Sequence, residues 1–322
     1  MTAQDYILSK IKELGKSAPT QDTGKTELED AILAKVLSKK FRKFQADSGA
    51  IERAKRAIHA AVTSNQPIKA RMVFGGNKLW RFEEAPEIDW AELFSVIYFT
   101  RWLKNIASVY RPGAYLELFS QDISVETLNN VPRSETDQYT RTFKTMLEWL
   151  KPQIPENVTF AYRRHFDEFD DPSDYLRELE EAKALILKEN QGKLPQLSET
   201  QKIATELNVR LRPGQADDPQ WRERVELEHQ AIFRTKTLNS YFAIPDIISV
   251  NAGRFPGLIT TGSTKYSTAK FWAGVGVLEK DGEDYHELVL TPRQLETAQF
   301  DWEDMAIDGL QSKNFSKIRV LR

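Results

Sequence analysis

Ile68-Lys69-Ala70-Arg71-Met72-Val73-Phe74-Gly75-Gly76 is the stretch from which the fold can be read. Apolar and basic residues alternate at its start, the pattern of a strand that buries one face, and two glycines end it where the chain must turn sharply or pass close to a ligand. Upstream, a helix over Ala50 to Ser64 leads through Pro67 into the strand, and another is expected from Thr26 to Phe44, with basic residues gathered at its end. Downstream, Trp90 to Ser108 carries apolar residues at helical spacing behind the acidic pair Glu87 and Asp89, and Arg111-Pro112-Gly113 breaks it. Ala114 to Phe119 alternates again, so residues 68 to 122 form a strand–loop–helix–strand unit of the length that a parallel crossover needs. An α/β fold follows, Rossmann-like, with a mixed or parallel sheet.

The rest of the chain adds a helical insertion and a β-rich C-terminal part. The sequence divides into N-terminal helices (1–65), an α/β core (66–170), a highly charged helical insertion (171–242) and a part that completes the core (243–322). A helix is expected over Thr136 to Leu150. Strands are expected at Val158 to Tyr162, Ile244 to Val250, Gly257 to Thr261, Phe271 to Leu278 and Tyr285 to Leu290. No internal repeat is visible.

Composition narrows the function. The 322 residues are 40% apolar with seven tryptophans, enough to bury a sizeable core. With 45 basic and 47 acidic side chains the net charge is −2, so no global field favours nucleic acid or an anionic membrane. Cysteine is absent, which removes disulfides, thiolate nucleophiles and cysteine-based metal sites. His59, His229 and His286 lack metal-ligand spacing, so a histidine metal site is not expected. No cofactor is expected either. Residues 1 to 16 do not read as a secretory signal, and no stretch has the length of a membrane span, which makes the cytoplasm the expected compartment.

In crossover units, ligands sit beyond the carboxyl ends of the strands, here Gly75-Gly76-Asn77-Lys78 and Ser120-Gln121-Asp122. The first loop, running on to Trp80 and Arg81, combines flexible backbone with cations and an aromatic. Its amides and Lys78 could hold a phosphate or carboxylate, and a desolvated lysine could act as a base or form an imine. The competing reading is an ordinary turn, because the loop matches neither the dinucleotide fingerprint nor the P-loop. Asp122 and Glu92 are candidate acid/base partners for the lysine, although an acidic residue in a first helical turn also serves the helix dipole. Arg163-Arg164-His165 follows a strand as a basic cluster suited to an anion, or as a solvated turn. Thr260 to Trp272 gathers hydroxyls and two lysines, among them Ser263 and Lys265, as phosphate donors or as a polar hairpin loop.

The order of elements from Ile32 to about Leu150 resembles the isocyanide synthase family, also called the pyoverdine/dityrosine biosynthesis family. The resemblance lies in the helix Ala31 to Arg42, in Gln66-Pro67-Ile68 entering a strand, and in Lys78 beyond it. It continues with Ala85-Pro86-Glu87-Ile88-Asp89-Trp90-Ala91-Glu92 opening a helix, Ile106 to Tyr110 closing it, and Arg111-Pro112-Gly113-Ala114 leading into the next strand. The family's Ser-Asp-Gly signature after that strand is replaced here by Ser120-Gln121-Asp122, and the proline-rich surroundings of the loop lysine are missing.

The resemblance implies a metal-free reaction in which an amino acid's amine condenses with the ketone of ribulose 5-phosphate, whose ketone carbon becomes the isonitrile carbon. On that basis Lys78 and Asp122, with Glu92, are expected to transfer protons, and Arg71, Arg163, Lys265 and Ser263 to bind the anion. Gly75, Gly76, Ser120 and His165 complete the substrate site, with an aromatic wall drawn from Trp80, Trp90 or Tyr115. The partner is then a phosphorylated small molecule. Two alternatives stand beside this one: another transferase or lyase acting on a phosphorylated small molecule, and a non-catalytic anion-binding protein.

Overall fold

Asp89 and Glu92 set the first long helix. In the computed structural model, which describes residues 1–15, 25–78, 86–238, 244, 246–253, 255–267 and 269–322, the Asp89 carboxylate accepts from the Ala91 N–H at 2.7 Å. The Asp89 N–H donates to Glu92 Oε2 at 2.9 Å, so a capping box opens α4 (Trp90–Ala107). Three helices precede it: α1 (Ala3–Leu14), α2 (Lys25–Val36) and α3 (Ser48–Ser64). Nearly every residue of α4 up to Leu103 is buried, because it runs between two sheets rather than along the surface.

The first sheet grows from β1 (Ile68–Phe74). β2 (Ala114–Ser120) pairs parallel to it, Ile68 opposite Ala114 and Phe74 opposite Ser120. After β2 come α5 (Asp122–Asn129) and α6 (Arg133–Leu150), then β3 (Val158–Arg164), parallel to β2. Three further helices follow, α7 (Pro172–Glu189), α8 (Glu199–Asn208) and α9 (Trp221–Ile232). The chain then crosses to the other side of β1 as β4 (Ile248–Asn251) and β5 (Ile259–Thr260). The order β3-β2-β1-β4-β5, parallel throughout, puts a topological switch point between β1 and β4. Ile68, Ala70, Met72 and Phe74 bury one face of β1. Phe74 ends the strand among the rings of Tyr139, Phe143, Tyr162, Phe271 and Trp272, with centroids 5.3 to 6.4 Å away.

A second, mixed sheet of order β7-β6-β9-β8 contains β6 (Val275–Asp281), β7 (Asp284–Leu290), β8 (Phe300–Asp304) and β9 (Lys317–Leu321). It lies against the first turn of α4, where a Cβ on Gly276 would come within 2.2 Å of the Ala91 nitrogen and Trp90 donates its indole N–H to the Lys317 carbonyl at 2.8 Å.

The α/β class and the crossover unit are as the sequence predicts, with all strands of the core sheet parallel. Several boundaries move for physical reasons. The helix expected up to Phe44 ends at Val36, because Phe41 turns inward onto Tyr98 and Arg42 bridges to Thr261. The strand expected from Phe271 begins at Val275. Phe271–Ala273 form a 3₁₀ turn instead, since both rings join the Phe74 cluster and the carbonyls of Phe271 and Gly274 turn to Lys78. Of residues 243–322, only β4 and β5 complete the core sheet. No helix among the described residues is long and apolar enough to cross a membrane.

Candidate functional site

A cavity of about 460 Å³ lies beyond the carboxyl ends of β1, β2 and β4, at the switch point. Its floor is Val73, Phe74, Gly75, Gln121, Val250 and Asn251. α5 forms one wall, and α8 and α9 form the roof, so the helical insertion closes the place where an open α/β sheet leaves room for a ligand. Ser124 of α5 is among the lining residues, and its hydroxyl shares a hydrogen bond of 2.8 Å with the buried Tyr175 of α7.

Most of the lining is apolar, and its charged side chains among the described residues are Lys270, Glu226 and His229. Lys270 is open to solvent through the cavity while protein crowds it on most sides, and this desolvation lowers its pKa. Among the described residues its amine has neither a hydrogen bond nor an ion pair. It stands 5.4 Å from the centre of the Trp272 ring. Trp272 in turn lies across Gly75, where a Cβ would meet its Cδ1 at 2.7 Å. In the roof, His229 Nδ1 is 3.7 Å from Glu226 Oε2 and holds that carboxylate below its usual range, while Gln230 donates to Oε1 at 3.0 Å.

Lys78 lies elsewhere. Its side chain is 9% exposed, and its ammonium meets Asp89 Oδ1 at 3.0 Å, Glu92 Oε2 at 2.9 Å, the Phe271 carbonyl at 2.8 Å and the Gly274 carbonyl at 2.9 Å. An ammonium has three N–H groups, so four acceptors leave it no free donor. Burial opposes its charge, but the two carboxylates prevail and raise its pKa. Burial pushes Glu92 up, to about 8, against the pull of Lys78, and Tyr139 donates to its other oxygen at 2.9 Å. The cluster ties three segments together: the end of the β1 loop, the head of α4 and the turn that carries Trp272.

The other expected residues are distributed over the molecule. Gly75 lines the cavity. Gly76, with φ +76°, sits on Ser120, whose Oγ would be 2.0 Å from an added Cβ. Asp122 is fully buried and pairs with Arg164, which also reaches Asp137 at 2.6 Å; Asp122 accepts from the Phe166 N–H at 3.1 Å as well. Burial raises the Asp122 pKa and the Arg164 guanidinium opposes that rise. His165 is enclosed by the rings of Phe119, Phe169 and Tyr175, and burial lowers its pKa to about 4. On the far face of the core sheet, Arg71 donates to Glu117 at 2.6 Å, and Arg163 pairs with Glu117 and Glu168. Tyr115 alternates onto that face with Glu117, and Trp90 packs on Phe315 at 4.8 Å. Ser263 donates to the Ala269 carbonyl at 3.1 Å, while Lys265 is exposed and donates to the Tyr266 hydroxyl at 2.6 Å. Trp80 lies outside the described residues.

In the sequence, Lys270 and Trp272 stand out only as part of the Thr260–Trp272 stretch and Gln121 only as part of the strand-end triplet, none of them as a site residue, and nothing marks the Glu226–His229 pair. One signal was available for Lys270. It directly precedes two large aromatics, Phe271 and Trp272, whereas Lys265 stands in a run of hydroxyls, and a lysine beside buried rings is the one protein will desolvate. Among the described residues, no group of three or more histidine or acidic side chains is placed to hold a metal ion.

No family model matches the chain, and no curated protein matches it. Among solved structures, the chain is similar to the crystal structure of the PvcA protein from Pseudomonas aeruginosa, with a TM-score of 0.63 at 16% sequence identity, over 92% of this chain and 100% of that one. At that identity the likeness establishes a shared fold over most of the chain.

Proposed function

We propose that the chain is an isocyanide synthase-like biosynthetic enzyme that joins the amine of an amino acid to a keto sugar phosphate such as ribulose 5-phosphate. The observation that carries this is the agreement between a sequence resemblance from Ile32 to about Leu150 and a fold like that of PvcA over the whole of that chain. The cavity is consistent with it. It lies where such folds bind ligands, it has the volume of a small-molecule site, and it holds a desolvated lysine against an apolar, aromatic wall. In this reading Lys270 faces the keto sugar phosphate, Gln121 offers an amide for hydrogen bonding, and Glu226 with His229 exchanges protons with the reacting groups. Lys78, Glu92 and Asp89 fix the turn that presents Lys270 and Trp272.

The test is to incubate the purified protein with ribulose 5-phosphate carrying ¹³C at the ketone carbon, together with individual amino acids, and to analyse the mixture by mass spectrometry and isonitrile-selective trapping. A product containing the amino-acid nitrogen bonded to the labelled carbon supports the reading. Absence of labelled product with every amino acid, under conditions where the sugar phosphate stabilises the protein against heat, overturns it.

One observation favours a second reading, a different transferase or lyase on the same scaffold. Where the family signature has its aspartate, this chain has Gln121, and Gln121 lines the cavity, while the next carboxylate, Asp122, is spent on Arg164. An amide cannot accept a proton as a carboxylate can. Isonitrile product that appears only in Gln121→Asp would point to this second reading.

A further inference from the structure

We infer that Lys270 is a covalent catalyst, forming an imine with the carbonyl carbon of the keto substrate before the amino-acid amine takes its place. The inference rests on the proposed reaction for the identity of the ketone, but its observations are those of the cavity.

Three observations converge on this lysine. It lines the cavity at the switch point, the position where a ligand's reactive carbon would be held. Its amine has no hydrogen bond or ion pair among the described residues, whereas Lys78 is saturated, Lys43 donates to the Ser267 carbonyl at 2.7 Å and Lys183 is bound to Glu180 and Glu228. Protein crowds it without supplying a carboxylate, which favours the neutral amine that imine chemistry requires. The cavity's acid/base pair, His229 and Glu226, projects from the roof into the same space.

The step balances without a redox partner. The Lys270 nitrogen lone pair attacks the carbonyl carbon, and one proton of that nitrogen passes to the carbonyl oxygen to give a carbinolamine. The hydroxyl takes a proton from the cavity's acid and leaves as water, while the nitrogen lone pair forms the C=N bond of a protonated imine to Lys270. The neutral amino-acid amine then adds to the same carbon, one of its protons passes to the Lys270 nitrogen, and the bond to that nitrogen breaks. This frees the lysine as a neutral amine and leaves the protonated imine of the amino acid, whose proton returns to the cavity's base. An iminium carbon is a better electrophile than a ketone, so the two-stage route lowers the barrier to joining the two substrates.

Borohydride reduction tests this. The full-length protein is treated with borohydride in the presence of ribulose 5-phosphate and, separately, dihydroxyacetone phosphate, and the adduct is mapped by peptide mass spectrometry. The expected result is a reduced adduct on Lys270 that is lost in Lys270→Arg, a variant that keeps a long side chain ending in nitrogen but cannot form the imine, with thermal stabilisation by the sugar phosphate measured on the same variant to separate loss of binding from loss of the imine. An adduct with dihydroxyacetone phosphate but not ribulose 5-phosphate upholds the imine and removes the named sugar. No adduct on Lys270 with either probe, in protein that the probes stabilise thermally, overturns the inference. So does isonitrile product formed by Lys270→Arg at the wild-type rate, and that result leaves the proposed function standing.

Discussion

Lys78 and Lys270 flank the same turn and have opposite surroundings. Lys78 is enclosed by two carboxylates and two carbonyls on one side of Phe271–Gly274, while Lys270 opens into the cavity with an aromatic neighbour and no acceptor among the described residues. The charge of the surrounding sequence does not tell the two apart. A buried ammonium with every donor occupied is fixed in place, whereas crowding by protein without a paired carboxylate disfavours the charged form of Lys270.

The largest expected effect separates the two. Lys78→Met leaves Asp89 and Glu92 buried without their cation, a change that costs about 3–5 kcal/mol of folding stability. Lys270→Met removes an exposed side chain with no hydrogen bond or ion pair among the described residues and shifts stability by no more than about 0.5 kcal/mol. Urea unfolding of both variants measures the difference, and equal losses would dissolve the distinction between the regions.

A smaller effect probes the contact that shapes the cavity. Gly75→Ala places a Cβ 2.7 Å from the Trp272 ring, so the indole must move. Overpacking of this kind costs about 1–3 kcal/mol. Because Trp272 is both a cavity wall and the neighbour of Lys270, the variant should also weaken thermal stabilisation by ribulose 5-phosphate. Loss of stability with undiminished ligand response would detach Trp272 from the site.

His165 offers a comparison by pH. Its ring nitrogens find no hydrogen-bond partner among the described residues, and its pKa falls from 6.5 to about 4. The folded protein therefore keeps the ring neutral while the unfolded chain takes up a proton below about pH 6.5. The stability this group contributes is complete above that pH and is lost as pH falls towards 4, a change of about 2 kcal/mol between pH 7 and pH 5. His165→Phe should remove that part of the acid sensitivity. Parallel pH profiles for the two proteins would mean that the ring finds a partner for its proton.

What the sequence disclosed follows from range. The unit β1–α4–β2 was legible because its signals are local: alternation from Ile68, the Asp89–Glu92 capping box and the break at Arg111-Pro112-Gly113. The C-terminal strands were legible in number only in part: β8 and β9 escaped notice although Phe300-Asp301-Trp302-Glu303 and Lys317-Ile318-Arg319-Val320 alternate, because each strand is only five residues long and β8 leaves little of itself buried. The site was much less legible. Lys78 follows a strand and two glycines, the usual setting of a ligand-binding lysine, and nothing near it announces carbonyls 193 and 196 residues away. The cavity likewise takes its floor from β1 and β4, its wall from α5 and its roof from α8 and α9, which only the crossover of the chain brings together.

The smallest expected effect is the most discriminating for the C-terminal loop. Lys265 and Lys270 lie five positions apart in one hydroxyl-rich stretch, and from sequence either could bind phosphate. Lys265 is exposed against the Tyr266 ring and absent from the cavity lining, so Lys265→Ala should alter stability by less than about 0.5 kcal/mol. It should leave both thermal stabilisation by ribulose 5-phosphate and borohydride trapping at wild-type levels, whereas Lys270→Ala abolishes the trapping. If Lys265→Ala instead loses the ligand response, the anion lies over this loop, outside the cavity, and the contrast between a structural and a reactive lysine must be redrawn around the loop.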